Sequence, residues 1–272
     1  MKDFISLCEE NKLKYVAAFG TVLGAVRHNG LIPWDDDIDV YMPREDYNKL
    51  LTLKNKLKGT KYELQDYCDE GYYLPYAKFC NKNTTLWELE EFPHIIGVFI
   101  DIFPLDKCSR NIEVVKDMHK EYRKAWFRYL NCLFVPPKEK ILISIYGFKL
   151  RTILTYLKCY ISKYFLKRKL LNDFKKRENT ISEFKGECYI YYDVYINENI
   201  DKLIYPPEWI ENNILFKFED FNIKLPEQFH EYLSQEYGDY MQLPPIEGRK
   251  SQHFCHFVDL KKRLQIKDLK SN

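Results

Sequence analysis

No two of the eight cysteines in this 272-residue sequence stand in C-x-x-C spacing, so zinc-finger patterns are excluded. Cys8, Cys68, Cys80, Cys108, Cys132, Cys159, Cys188 and Cys255 also do not read as a disulfide framework in a chain of this size, and reduced thiols are expected. Long apolar runs are missing. In the most apolar region the longest charge-free stretch is Ile141 to Phe148, far short of the roughly 20 residues of a spanning helix. Asp3, Glu9 and Glu10 interrupt any signal-like stretch near the start, so a cytoplasmic location is expected. A dominant charge is lacking too: 42 basic residues face 40 acidic ones, and a net charge of +2 points to no nucleic-acid partner. Internal repeats and low-complexity tracts are absent from the sequence.

What is present suits a folded protein. Apolar residues make up 46% and charged residues 30%, and the 22 Tyr, 18 Phe and 4 Trp supply ample core material. The charge is unevenly spread. Residues 138–177 hold 12 basic and 2 acidic side chains, a local +10, which leaves −8 for the rest. Such a split suggests an anionic surface near that segment.

Periodicity places a helix over 4–13 and a buried strand over 15–19. Thr21 reads as the cap of a following helix that stops at Asn29-Gly30. A second strand is expected over 34–41, with a helix opening after Pro43. Strands follow at 62–67, 72–80 and 84–89, the last two joined as a hairpin by Asn81-Lys82-Asn83, and at 95–103, closing at Pro104. Residues 112–177 turn helical, split by Pro136-Pro137, and a helix follows Pro226. The order predicts an α+β fold: a mixed-sheet core over 1–110, a basic helical insertion over 111–185, and an α/β tail over 186–272 that packs on the core.

Asp35, Asp36, Asp37 and Asp39 crowd into five residues. An acidic loop is the ordinary reading of such a run. Here Ile38 and Val40 alternate with the carboxylates, and Trp34 and Tyr41 bracket them, so one strand face would carry Asp35, Asp37 and Asp39. That face needs a cation, and hard oxygen ligands suit Mg²⁺ or Mn²⁺. Same-face neighbours lie about 6.8 Å apart along a strand, so all three converge only if the strand bends. Asp37 belongs to either possible pair. Asp37 with Asp39 is preferred, and Asp35 becomes an outer ligand. Asp101, alone in the apolar run Val98-Phe99-Ile100-Asp101-Ile102-Phe103, is a third ligand if its strand adjoins that of Asp37. Asp106 reads as a helix cap or loop residue. Gly20-Thr21, between a strand and a helix, offers backbone N–H groups to a phosphate.

The run GTVLGAVRHNGLIPWDDDID over 20–39 closely resembles the signature of the LicD family, which includes fukutin and fukutin-related protein. Arg44-Glu45-Asp46-Tyr47, VFIDIFPLD over 98–106, Tyr237-Gly238-Asp239-Tyr240-Met241 and Leu243-Pro244-Pro245 extend the likeness over nearly the whole chain, most densely within the span 1–110 and near the end. One departure is Phe19, where family members often carry a glycine. The resemblance implies a nucleotidyltransferase-type fold and phosphodiester transfer from a CDP-alcohol. CDP-choline is the expected donor, and a sugar hydroxyl of teichoic acid, lipopolysaccharide or capsule is the acceptor, possibly lipid-linked. On that reading Asp37, Asp39 and Asp101 are catalytic and, with Asp35, hold the metal. Asp101 is the preferred proton acceptor. Gly20, Thr21, Arg27 and Lys78 meet the donor phosphates. Arg27 reads equally as a salt-bridge partner of the acidic strand, and Lys78 as an edge-strand lysine. Arg249, His253 and His256 reach nucleotide or acceptor, or form a solvated tail. Trp34, Tyr41 and Trp87 are the nearest candidates for an aromatic cage around choline. Three alternatives stand beside this reading: transfer of another CDP-linked alcohol phosphate (ribitol, glycerol or ethanolamine), nucleotidyl transfer on the same fold, and a non-catalytic scaffold in glycan assembly.

In the basic insertion, Tyr146, Leu150, Ile153, Leu154, Leu157, Ile161 and Tyr164 form one helical stripe, flanked by Arg151 and Lys158 on one side and by Lys149, Lys163 and Lys167 on the other. Packing on the protein core suits the stripe slightly better. The +10 charge instead suits weak, salt-sensitive contact with an anionic membrane.

Overall fold

The computed structural model describes residues 1–272 apart from 137, 148, 197, 252–254 and 270–272. Pro137, Phe148 and His253 therefore lie outside the described residues. The fold is a mixed α+β arrangement around a curled sheet, as the order of elements predicts.

Helix α1 (Lys2–Glu10) buries Phe4 and Cys8. Strand β1 (Val16–Ala17) leads into α2 (Phe19–His28), then β2 (Asp39–Pro43) and α3 (Arg44–Thr52). Strands β3 (Tyr62–Gln65), β4 (Ala77–Trp87) and β5 (Ile96–Cys108) follow. The insertion then contributes α4 (Ile112–Leu133), α5 (Lys138–Tyr146), α6 (Leu150–Ile161) and α7 (Lys167–Ser182). The remainder holds β6 (Cys188–Ile190), β7 (Ile204–Tyr205), α8 (Pro207–Glu211), β8 (Asn213–Phe218), β9 (Phe221–Pro226), α9 (Phe229–Tyr237), β10 (Phe257–Asp259) and α10 (Ile266–Leu269).

The main sheet runs β1-β2-β5-β4-β10, with β3 also on β4, and β6 and β7 continuing from the end of β5. Strands that follow the helical insertion are thus built into the same sheet as β1 to β5. Strand pairing in this sheet is antiparallel except for β2 and β5, which run parallel with Asp39 opposite Asp101. Alternation sorts the two faces. Val40, Met42, Ile100, Ile102, Ala77 and Phe79 pack beneath α1 and α3. Tyr41, Phe103, Leu105 and Cys80 face the core that holds Val22 of α2, Trp126 of α4 and Tyr232 of α9. Asp39, Asp101 and Lys78 share the parity of this second set.

Four local expectations are corrected. Residues 34–38 are not a strand, because β2 starts only at Asp39. The expected hairpin over 72–89 is one bulged strand. Asn81 accepts from the Asn83 N–H through its side chain and from the Thr84 hydroxyl through its carbonyl, which absorbs the turn residues into a bulge. β5 does not close at Pro104 but runs on to Cys108. Its pairing with β4 reaches only Ile102, and β6 begins opposite Asp106, so Pro104 sits where that edge needs no N–H donor. Asp106, expected as a cap or loop residue, is buried within β5.

There Asp106 receives a two-pronged contact from Arg44, Nε to Oδ1 and Nη2 to Oδ2, both at 2.7 Å. Arg44 Nη1 reaches Glu178 of α7 at 3.0 Å, and the Tyr67 hydroxyl donates to the same carboxylate. This buried network ties α3, β5 and α7 together. Removing one member of a buried ion cluster leaves an uncompensated charge, at a cost of about 3–5 kcal/mol. Arg44→Ala should therefore lower the unfolding free energy measured by chemical denaturation by that much. A loss under about 1 kcal/mol, the scale of an exposed ion pair, would show that the network does not hold the insertion to the core.

Candidate active site

The register of β2 against β5 sets the site. Asp39 lies opposite Asp101 on one side, and Lys78 of β4 lies opposite Asp101 on the other, so one row across three strands carries two carboxylates and an ammonium. Backbone bonds fix the Asp39 end. The Asp39 N–H donates to the Thr21 hydroxyl at 2.8 Å, its carbonyl accepts from Ala18 N–H at 3.0 Å, and Asp101 N–H donates to the Ile38 carbonyl at 2.8 Å. Asp37 reaches the row from the loop. Carboxylate oxygens of Asp37, Asp39 and Asp101 lie within 4.8 Å of one another, and those of Asp35, Asp36 and Asp37 form a second such group. Because 35–37 is loop rather than strand, the spacing expected along a strand does not apply.

The electrostatics follow from burial. Asp39 is 8% exposed and Asp101 5%. Burial, and then the charges of Asp37, Asp101 and Asp35, raise the Asp39 carboxyl well above the ordinary aspartate range, while Lys78 pulls the other way. Three carboxylates sharing one small volume in this setting are hard oxygen donors that fit a divalent cation.

Lys78 is 1% exposed, with Nζ 2.7 Å from Asp101 and 3.4 Å from Glu88, above the Phe99 ring. It lies on an interior strand, so the edge-strand reading is excluded. Its ammonium neutralises Asp101 from behind. A cleft of about 620 Å³ opens over Asp35, Asp37 and Asp39, bounded by Phe19, Gly20 and Arg27 of α2 and by the segment after α9.

Gly20 does two things. A Cβ there would meet Asp35 Oδ2 at 2.5 Å, so only glycine lets that carboxylate lie against the helix start. It also follows Phe19, which holds a left-handed backbone at φ 42°. Such a conformation costs a side chain of this kind about 1–3 kcal/mol, a cost a glycine would not carry. Packing of the Phe19 ring against Tyr41, Phe103 and Tyr191 stands against that cost. Thr21 is not the cap, since α2 starts at Phe19 with Ala18 at the cap position. The Phe19 N–H donates to the Tyr232 hydroxyl at 2.8 Å.

Arg27 is no salt-bridge partner of the acidic run. Its Nη1 donates to the carbonyls of Tyr240 at 2.8 Å and Gln242 at 3.4 Å, which folds the C-terminal turn over the cleft. The Arg249 guanidinium sits 5.6 Å from the Trp34 ring, and the Ser251 hydroxyl donates to Asp36 at 2.6 Å. Of the expected cage residues, Trp34 lines the cleft. Tyr41 is wholly buried and hydrogen-bonded to Tyr205, and Trp87 packs under His256, so neither forms a cleft wall. Tyr237, Asp239 and Lys250, not among the site residues expected from sequence, also line the cleft. The Tyr-Gly-Asp-Tyr signature was the available signal for the first two. Lys250 has no such signal.

Residues 12–141 match the family model described as LicD/FKTN/FKRP, nucleotidyltransferase domain. The chain is 28% identical over 258 residues to the lipopolysaccharide cholinephosphotransferase LicD of Haemophilus influenzae, covering 92% of this chain and 90% of that one. An uncharacterized protein of Rickettsia typhi is 52% identical over 142 residues, 47% of this chain and 46% of its own. Another, from Rickettsia prowazekii, is 52% identical over 46 residues, 17% of each chain. The resemblance carried by the 20–39 signature is thus matched by the family model over 12–141 and by likeness to one LicD over 92% of the chain.

The raised Asp39 carboxyl gives a signed prediction. Folded protein keeps a proton there at pH values where the unfolded chain has lost it, so this group's contribution to stability falls as pH rises above about 4. In EDTA, wild type should therefore lose more stability between pH 5 and 8 than Asp39→Asn. Buried Glu236 and Asp193 titrate in the same direction, so the difference between the two proteins is the readout. Mg²⁺ at 100 times its dissociation constant should restore about 2.7 kcal/mol, roughly 5–10 °C in Tm, to wild type and little to the variant. Equal responses would remove the cation from this site.

Proposed function

We propose that the chain transfers phosphocholine from CDP-choline to a sugar hydroxyl of a cell-surface glycan and releases CMP. The observation that carries the chemistry is the convergence of Asp37, Asp39 and Asp101 at the foot of a cleft large enough for a nucleotide. Similarity to a lipopolysaccharide cholinephosphotransferase over 92% of the chain supports the choice of group transferred. Lipopolysaccharide is the first acceptor to test, followed by teichoic acid and capsule, in free and lipid-linked forms.

Asp37, Asp39 and Asp101 would hold Mg²⁺ or Mn²⁺, with Asp35 as an outer ligand. Bound there, the cation supplies charge neutralisation to the donor phosphates and the leaving oxygen. The protein's own groups do the rest. Arg27 and Lys250 line the cleft and offer positive charge to the nucleotide side, and Gly20 brings the start of α2 against the phosphates, whereas Thr21 is buried and accepts from the Asp39 N–H instead. Trp34 and Tyr237 line the cleft and are the aromatic side chains assigned to a quaternary ammonium. Lys78 is assigned a positioning role through Asp101 rather than direct phosphate contact, because its ammonium is sealed between Asp101 and Glu88. The incoming hydroxyl needs a proton acceptor on the cleft side. Asp37 lines the cleft whereas Asp101 lies behind Asp39 against Lys78, so Asp37 takes that role in place of Asp101.

Incubation with CDP-choline and lipopolysaccharide should release CMP in step with phosphocholine on the glycan, and EDTA should stop both. Asp37→Ala should lose at least ~10²–10³-fold in turnover, the scale of losing one preorganised electrostatic group. Asp35→Ala should lose less. A panel adding CDP-ribitol, CDP-glycerol and CDP-ethanolamine tests the donor. Pyrophosphate release with only a nucleoside triphosphate as donor would overturn the reading in favour of nucleotidyl transfer.

A further inference from the structure

The stripe on the basic insertion does not pack on the core. Tyr146 is 80% exposed, Leu150 68%, Leu154 48%, Leu157 51%, Ile161 44% and Tyr164 64%, with Ile153 half-buried, and the neighbouring Tyr160 and Phe165 are 61% and 80% exposed. Among the described residues, 11 of the 22 exposed large hydrophobic side chains fall between 142 and 166, so they form a concentrated surface rather than the usual scatter. An apolar groove of about 530 Å³ runs along it, walled by Phe134, Ile153, Tyr156 and Tyr160, with Lys163 on its lining. In α6 the well-buried side chain turned toward the protein is Cys159.

The charge around this surface selects its partner. Residues 140–172 contain eight basic side chains and no acidic one, and six of the eight are lysines. Lys149, Arg151, Lys158, Lys163, Arg168 and Lys169 are all exposed. Protein interfaces are depleted in lysine at their cores. Helices that lie in a membrane surface combine lysine with exposed aromatic and aliphatic side chains in this way, the long stems reaching outward to the headgroups. No helix among the described residues is long and apolar enough to cross a membrane, so such a face would lie in the interface.

We infer that α5, α6, the Ser162–Leu166 stretch and the start of α7 form a docking face for an anionic lipid bilayer, with aromatic and aliphatic side chains entering the headgroup–acyl boundary and lysines meeting lipid phosphates. This goes beyond weak electrostatic contact. Burial of apolar side chains gives binding a component that salt does not screen. The Arg44–Glu178 ion pair and the packing of α7 on α4 join the face to the catalytic sheet, so docking would set the position of the cleft relative to acceptors at the surface.

The test is flotation of the full chain with vesicles of phosphatidylcholine alone or of phosphatidylcholine mixed with phosphatidylglycerol, at low and high salt. Strong binding to the anionic vesicles that weakens but persists at high salt supports the face. Lys167→Gln, Arg168→Gln and Lys169→Gln together should weaken low-salt binding roughly 100-fold, three charges at about 1 kcal/mol each. Tyr164→Ser with Phe165→Ser should remove the salt-resistant part while far-UV circular dichroism stays unchanged. Equal binding to both vesicle types, no binding at low salt, or loss of self-association as the sole effect of the serine pair would overturn the proposal. Binding needs no turnover, so its failure is distinguishable from failure of the transferase reading.

Discussion

Two aspartates set side by side in neighbouring parallel strands are the constraint around which this molecule is built. At about 4 Å, like charges repel by about 4 kcal/mol even at an effective dielectric of about 20, and burial adds a desolvation cost. The register that aligns Asp39 with Asp101 therefore persists only because other groups hold it. Apolar partners do so from below: Val40, Met42, Ile100 and Ile102 alternate with the carboxylates and would leave the core if the strands slipped by one residue. Lys78 does so laterally, Thr21 does so from α2, and a proton or a cation completes the balance. On the proposed reading, a cation would act on stability through this same carboxylate cluster.

The cleft is completed by residues distant in sequence. Arg27 holds the carbonyls of Tyr240 and Gln242, Tyr232 receives the Phe19 N–H, Arg249 lies on Trp34 and Ser251 meets Asp36. Each contact joins α2 or the carboxylate loop to α9 or the segment beyond it, so that loop owes its walls to the C-terminal part. This explains why signature residues appear at both ends of the chain and few between. It also explains the left-handed Phe19: its amide is aimed at Tyr232 while its ring closes over Tyr41 and Phe103.

The fold class and the carboxylates were legible because they depend on local pattern: alternation around Asp101, Asp-Ile-Asp at 37–39, and a strand–glycine–helix step. Less visible were features decided by pairing. Asn81-Lys82-Asn83 has turn chemistry, but Val98 and Ile96 of β5 pair across it and make it a bulge. Pro104 is a strand breaker wherever a neighbour needs its N–H, and here none does at that edge. Asp106 carries a loop-like prior until Arg44 arrives from 62 positions away. Lys78 reads as a phosphate ligand in a linear sequence and as a buried counter-ion once β4 lies beside β5.

Charge distribution links the proposed docking face to the site. Residues 138–177 of the insertion carry +10 while the rest of the chain carries −8, with Asp35, Asp36, Asp37 and Asp39 as its densest acidic cluster. An anionic surface attracts the first and repels the second, so the protein's own field would turn the insertion toward lipid and the acidic loop away from it. Occupation of the carboxylates by a divalent cation would soften that repulsion. A donor nucleotide and its cation would then do two things at once: complete the electrostatics of the cleft, and lower the cost of bringing the cleft close to an anionic, acceptor-bearing surface. On the docking reading, the separation of charge between insertion and core therefore governs orientation as much as attachment.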